Sequence, residues 1–188
     1  MSLVHRRTVM TSDRIERALH RMAAEILERG GEPERIALIG IRTGGVNPTA
    51  RIAQQMKVLE GVDPPIGMVD ITLYRDDISS ENKPLLKKTE IDFDVTGKCI
   101  VLVDDVLFTG RTIRAAMDAV MDYGRPACVR VAVLVDRGHR ELPIQPDFVG
   151  QILETERDEQ VIVTVAEKKN RLDKVEIRMT LEPEEDGR

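Results

Sequence analysis

The sequence contains no tryptophan, three phenylalanines, two tyrosines and two cysteines in 188 residues. A core without large rings must be filled by Val, Ile, Leu, Met and Ala, which suits a close-packed, layered interior. Cys99 and Cys128 both lie inside apolar runs and read as free thiols, not as a disulfide or a metal pair. No apolar run approaches the roughly 20 residues of a membrane helix, and the opening MSLVHRRTVM lacks the apolar stretch of a signal peptide. That is the pattern of a cytoplasmic protein with no membrane partner. A basic excess is missing too: 28 Lys and Arg face 33 Asp and Glu, a net charge of −5. This argues against coating nucleic acid by bulk attraction and leaves only a local basic face for such a partner. At 41% hydrophobic and 32% charged, the chain has the size and balance of one large domain over 1–188, with 1–10 and 182–188 expected as frayed ends.

Periodicity supplies the architecture. Ile15, Leu19, Met22 and Ile26 recur at three and four, one helical stripe over 13–29, and Asp13 with Glu16 has the spacing of a capping box. RIALIGI (35–41) is a short apolar strand that breaks into RTGG and an amphipathic segment over 46–56. MVDITLY alternates Val69, Ile71 and Leu73 with polar neighbours, as a strand does. The polar stretch 75–94 reads as a long loop or hairpin, and loops of that length usually have a function. KCIVLV is a buried strand; 109–123 is a helix facing Ile113, Ala116, Met117 and Val120 inward; YGRP stops it, and CVRVAVLV (128–135) is the next strand. Strands alternating with helices predict an α/β fold, a mainly parallel central sheet flanked by helices. PDFVG, QVIVTVAE and VEIRMTL read as shorter strands along one edge, and EPEEDGR as an acidic tail.

The chemistry concentrates in VLVDDVLFTGRTI (101–113). Two adjacent carboxylates at the end of a buried strand repel one another, and both can address one ligand only where the chain leaves the regular pleat. In a parallel sheet the carboxyl ends of the strands form the ligand crevice. The loop that follows offers Gly110 for close backbone approach, the Thr109 and Thr112 hydroxyls, Arg111 and the amides of a starting helix, all suited to a phosphate. Acids for sugar hydroxyls and amides for phosphate together describe a ribose 5-phosphate. A nucleotide P-loop is not matched, because Asp105 and Arg111 occupy the places of its first Gly and its Lys.

The segment resembles the signature of the type I phosphoribosyltransferases. Val101, Leu102 and Val103 match its apolar strand, Asp104 and Asp105 its acids, Val106, Leu107 and Phe108 its bridge, and Thr109, Gly110, Arg111, Thr112 and Ile113 its phosphate loop. DITLYRDD, YGRP and AVLVDRGHRELPI are similar to the PyrR branch, from the first helix to about Gln151. The resemblance implies the type I phosphoribosyltransferase fold with a flexible hood, and transfer of a phosphoribosyl group from phosphoribosyl pyrophosphate (PRPP) to uracil, giving UMP, with Mg²⁺ as cofactor. It implies that Asp104 and Asp105 hold the ribose and, through PRPP, the metal. Arg42, Thr43, Gly44 and Gly45 would form the pyrophosphate loop, and Arg75 in the hood would reach the pyrophosphate, with Lys83, Lys87 and Lys88 beside it. Val135, Asp136 and Arg137 would recognise the base. The signature itself specifies the sugar phosphate and leaves the nucleobase open. The branch also implies UMP-dependent binding of pyrimidine-gene leader mRNA and a homo-oligomer. Arg17, His20, Arg21 and Arg29, with Arg14 on the same helix face, and later His139 and Arg140, are the candidate RNA contacts; a solvated face paired with Glu16, Glu25 and Glu28 is the plainer account. Where RNA-binding members often carry cations, this chain has Gly44, Gln145 and Gln151, and each exchange lowers phosphate affinity and its salt dependence.

Overall fold

The computed structural model describes residues 3–72, 74 and 89–181. Five parallel strands form the central sheet in the order β3-β2-β4-β5-β6: β2 (Ile36–Ile41), β3 (Ile66–Val69), β4 (Cys99–Leu107), β5 (Cys128–Asp136) and β6 (Phe148–Ile152). Every residue of β2 is buried, as a strand covered on both faces requires. Helices α1 (Ser12–Arg29) and α2 (Val46–Glu60) pack one face against Leu38, Val101, Val103 and Leu134, and α3 (Arg111–Met121) packs the other against Ile100, Leu102 and Val133. The α1 stripe is buried as its spacing predicts, through Ile15, Leu19, Met22 and Ile26. Each such side chain stabilises the fold by about 1.5–3 kcal/mol relative to exposure.

Four expectations are corrected. The first ten residues do not fray along their length: β1 (Leu3–Thr11) pairs antiparallel with β8 (Lys174–Leu181), which also pairs with β7 (Gln160–Thr164). β7 and β8 therefore form a separate three-stranded sheet with β1, and only β6 extends the central one. The strand expected in MVDITLY starts earlier and ends at Val69. The capping box does not form: Thr11 is the N-cap without a side-chain bond, Asp13 pairs with Lys169 (2.7 Å), and Glu16 turns to Arg51 and Gln55. Cys99 and Cys128 are free thiols facing each other across β4 and β5. Burial and the neighbouring Cys128 push the Cys99 thiol up to about 12. Among the described residues no helix is long and apolar enough to cross a membrane.

Arg51 on α2 ties the two sheets together. Its side chain is 3% exposed and donates to Asp173 Oδ2 (2.7 Å) and to Glu16. Asp173, ahead of β8, also accepts the amides of Ala166 (3.0 Å) and Asn170 (3.1 Å). Burial alone would push its carboxyl up, but these bonds and the Arg51 charge hold it below the usual range. Such a depressed group contributes stability above its unfolded value of 3.8 and loses it as pH falls through the folded one. Arg51→Met leaves the Asp173 charge buried without its cation, so it costs about 3–5 kcal/mol in urea unfolding at pH 7. The difference from wild type shrinks below about pH 4; an equal loss at all pH values contradicts this role.

Candidate active site

The acid pair lies within β4, which continues past it to Leu107. The strand does not end at the acids as its loss of hydrophobicity suggested. Its alternation does break there: Val103 and Val106 pack toward the α1–α2 face, and Leu102 and Leu107 toward α3. Asp104 is 6% exposed and accepts the Asp105 N–H on Oδ1 (3.0 Å); Asp105 is half-buried. Among the described residues no Lys or Arg pairs with either acid. Burial, and then the Asp105 charge, push the Asp104 carboxyl well above the usual range; burial raises Asp105 as well, against its bonds from backbone amides.

The loop between β2 and α2 faces this pair. A Cβ on Gly44 would stand 2.2 Å from the Asp105 carboxyl, and one on Gly45 would stand 2.0 Å from the Val103 carbonyl oxygen. Both positions therefore need glycine for close approach, not for backbone conformation. The Arg42–Thr43 peptide is cis. Thr49 Oγ1 donates to the Gly45 carbonyl (2.7 Å) and fixes the turn into α2. Arg42 reaches Glu90 (3.2 Å), and its buried Nε has no partner among the described residues.

On the other side of the acids, Gly110 takes φ +93°, a left-handed conformation that favours glycine, and caps α3. Val106, Leu107, Phe108, Thr109, Gly110, Arg111 and Thr112, with Glu141, line a cavity of about 360 Å³. Amides of Glu141 (2.9 Å) and Leu142 (3.2 Å) both donate to the Thr109 carbonyl and hold the cavity wall against the loop. The first amides of α3 and its dipole favour an anion there.

At the end of β5, Val135 is fully buried, and the side chains of Asp136 and Arg137 turn to the chain itself. Asp136 accepts from Arg140 Nη2 (2.6 Å) and from the Gly138 amide (3.0 Å). Arg137 donates to Thr155 Oγ1 (3.2 Å) and to the carbonyls of Glu156 and Glu159 (both 2.7 Å), with its guanidinium 4.2 Å over the Phe108 ring. His139 Nε2–H donates to the Thr155 carbonyl (2.6 Å), and Arg140 also donates to the Phe108 carbonyl (3.0 Å). The basic face of α1 is likewise partly engaged: Arg21 donates to the Gly150 carbonyl (2.5 Å), Arg29 to that of Asp147 (3.2 Å) and His20 to Gln55 (3.0 Å). Arg17 is exposed. Arg75 and the rest of the expected hood over 75–88 lie outside the described residues. Sequence reasoning missed Glu141 and Arg157, which join Arg111 in a chain of ion pairs beside the 109–112 loop.

Fold and site define a phosphoribosyltransferase. Residues 7–169 match the family model described as Phosphoribosyl transferase domain, and the chain belongs to that family, in its PyrR branch. It is 52% identical over 161 residues to the Bifunctional protein PyrR of Deinococcus deserti, covering 85% of this chain and 88% of that one. It is 56% identical over 150 residues to the Bifunctional protein PyrR of Geobacter sulfurreducens, 79% and 85% of the two chains. A crystal structure of a hypoxanthine-guanine phosphoribosyltransferase from Bacillus anthracis superposes with a TM-score of 0.70 over 95% of this chain and 100% of that one; at 21% identity this likeness shows the fold.

Two outcomes test the geometry. Gly44→Ala displaces the Asp105 carboxyl and lowers transferase kcat/KM on the order of 100-fold, the scale of an ångström of misplacement; unchanged steady-state rates contradict the contact. Asp104 gains proton affinity on folding, so its burial penalty is absent below its unfolded pKa of 3.8 and grows as pH rises through the folded value. Asp104→Asn keeps the bond from the Asp105 amide, removes the charge, and raises Tm at pH 7 by about 2–4 °C, the shift that 1 kcal/mol produces at this size. The gain closes toward pH 4; a Tm that falls at pH 7 contradicts the electrostatic account.

Proposed function

We propose that the chain is a PyrR-type uracil phosphoribosyltransferase, converting uracil and PRPP with Mg²⁺ into UMP and pyrophosphate, and that UMP in the same pocket regulates binding of pyrimidine-gene leader mRNA. It works in this reading as one catalytic domain, within a cytoplasmic homo-oligomer. The observation that carries the proposal is the Asp105 carboxyl against Gly44, with the Gly110 loop on the same strand's continuation. One crevice then holds acids, a glycine loop without side-chain obstruction and a helix N-terminus.

The proposed roles follow from that placement. Asp104 and Asp105 grip the ribose hydroxyls and stabilise positive character at C1 as the bond to pyrophosphate breaks. Thr109, Gly110, Arg111 and Thr112 hold the 5′-phosphate by amides, hydroxyls and charge. Amides of Thr43, Gly44 and Gly45, with Arg42, receive the pyrophosphate, where negative charge builds; a preorganised donor of this kind contributes about 2.7–4 kcal/mol to the barrier. The Arg42 Nε, without a partner among the described residues, is a donor ready for that anion. Arg75 would close over it from the hood. Asp136 and Arg137 shape the base pocket through the backbone they fix, and the base is read by main-chain groups near Val135.

The acid pair fits a hard dication: two carboxylates of raised proton affinity lie together with no Lys or Arg of the described residues against them. Mg²⁺ bound with PRPP would neutralise the leaving pyrophosphate. Arg17 and the outer groups of Arg14 and Arg21 are the candidate RNA contacts on α1, whereas Gly44, Gln145 and Gln151 supply no cation.

Purified protein forms UMP from uracil and PRPP, needs Mg²⁺, and falls at least 100-fold when Asp104 and Asp105 are both Asn. In a panel of nucleobases uracil gives the highest kcat/KM. A panel in which hypoxanthine or guanine wins, or in which no base reacts, overturns the assignment.

A further inference from the structure

The phosphate loop has a carboxylate in its wall. Glu141 lines the cavity and is fixed there by its own amide on Thr109. Glu141 Oε2 accepts from Arg111 Nε (2.9 Å), and its other oxygen pairs with Arg157. A permanent negative charge is out of place beside amides aimed at a phosphate, which carries about −1.5 to −2 at pH 7. The two guanidiniums hold this carboxyl below the usual range, Arg111 foremost through its hydrogen bond, so it stays charged at neutral pH.

Arg157 is not a stray surface side chain. It projects from the segment between β6 and β7, whose backbone is pinned on both sides of it. Arg137 bonds the Glu156 and Glu159 carbonyls, and His139 bonds that of Thr155. The pairs themselves are exposed, with Arg111, Glu141 and Arg157 side chains 40%, 30% and 67% accessible, so each is weak and exchangeable. A phosphate offers three acceptor oxygens and more charge than a carboxylate, so it wins such an exchange.

We propose that Glu141 is a stand-in anion and Arg157 a further phosphate-binding residue: on arrival of the 5′-phosphate, Arg111 and Arg157 transfer from the carboxylate to the phosphate. The inference rests on the reading of 109–112 as the phosphate loop of a phosphoribosyl site. Glu141 lowers affinity for the sugar phosphate and keeps both cations beside the cavity between turnovers.

Calorimetric titration of the intact protein with ribose 5-phosphate, set beside the KM for PRPP, tests it. Glu141→Gln tightens ribose 5-phosphate about twofold to fivefold and lowers the KM for PRPP. Arg157→Gln weakens binding about fivefold, also in the Glu141→Gln background, and Arg157→Lys restores part of it. Weaker binding in Glu141→Gln makes that residue a mere orienter of Arg111 and overturns the inference, as does unchanged affinity in Arg157→Gln. A wild-type protein that binds no ribose 5-phosphate overturns the phosphoribosyl reading and the inference with it.

Discussion

Two carboxylates side by side in the interior, without a cation of the described chain against them, set the terms for the rest of the molecule. In a medium of low polarity their repulsion and lost hydration oppose folding. The same medium strengthens their attraction to a ligand that brings positive charge or sugar hydroxyls. A site of this kind is stable enough to exist only because the surrounding sheet is covered on both faces and the strand that carries it is central. Stability is given up locally so that binding can recover it.

The remaining parts hold that pair in reach of its ligands. β2 lies directly beside β4, so the turn after β2 faces the end of β4 and brings Gly44 against Asp105. Thr49 and Arg51, two residues apart on α2, secure the turn after β2 and the β1–β8–β7 sheet respectively. Arg137 and Arg140 perform the corresponding task after β5, by bonds to carbonyls of neighbouring loops. These guanidiniums serve as clamps for the chain itself, Arg51 on carboxylates and Arg137 and Arg140 on backbone carbonyls.

The central layer was legible from the chain because its signals are local. RIALIGI and KCIVLV are apolar after their first residue, CVRVAVLV is broken only by Arg130, and the stripes of α1 and α3 repeat at helical spacing. The acid pair and the Thr-Gly-Arg-Thr loop were legible because residue types and order carry their chemistry. What escaped depends on partners far along the chain. LVHRRTVMT has two adjacent arginines and no clear alternation, and its strand character comes from β8 more than 160 residues later. Asp13 and Glu16 have the right spacing for a cap, but Lys169 and Arg51 outbid the backbone amides. Asp136 and Arg137 lie at the end of β5, yet nothing in LVDRG shows that their side chains turn to Arg140 and to the 155–159 backbone. Glu141 and Arg157 belong to no local pattern at all.

The pairing of β1 with β8 also has a temporal side. During synthesis Leu3–Thr11 is made long before Lys174–Leu181, its partner among the described strands. Meanwhile the nascent segment presents an unsatisfied strand edge to every neighbouring polypeptide, a recognised hazard for intermolecular association. Arg6 and Arg7, both exposed in β1, put like charge on that segment, which opposes pairing with copies of itself.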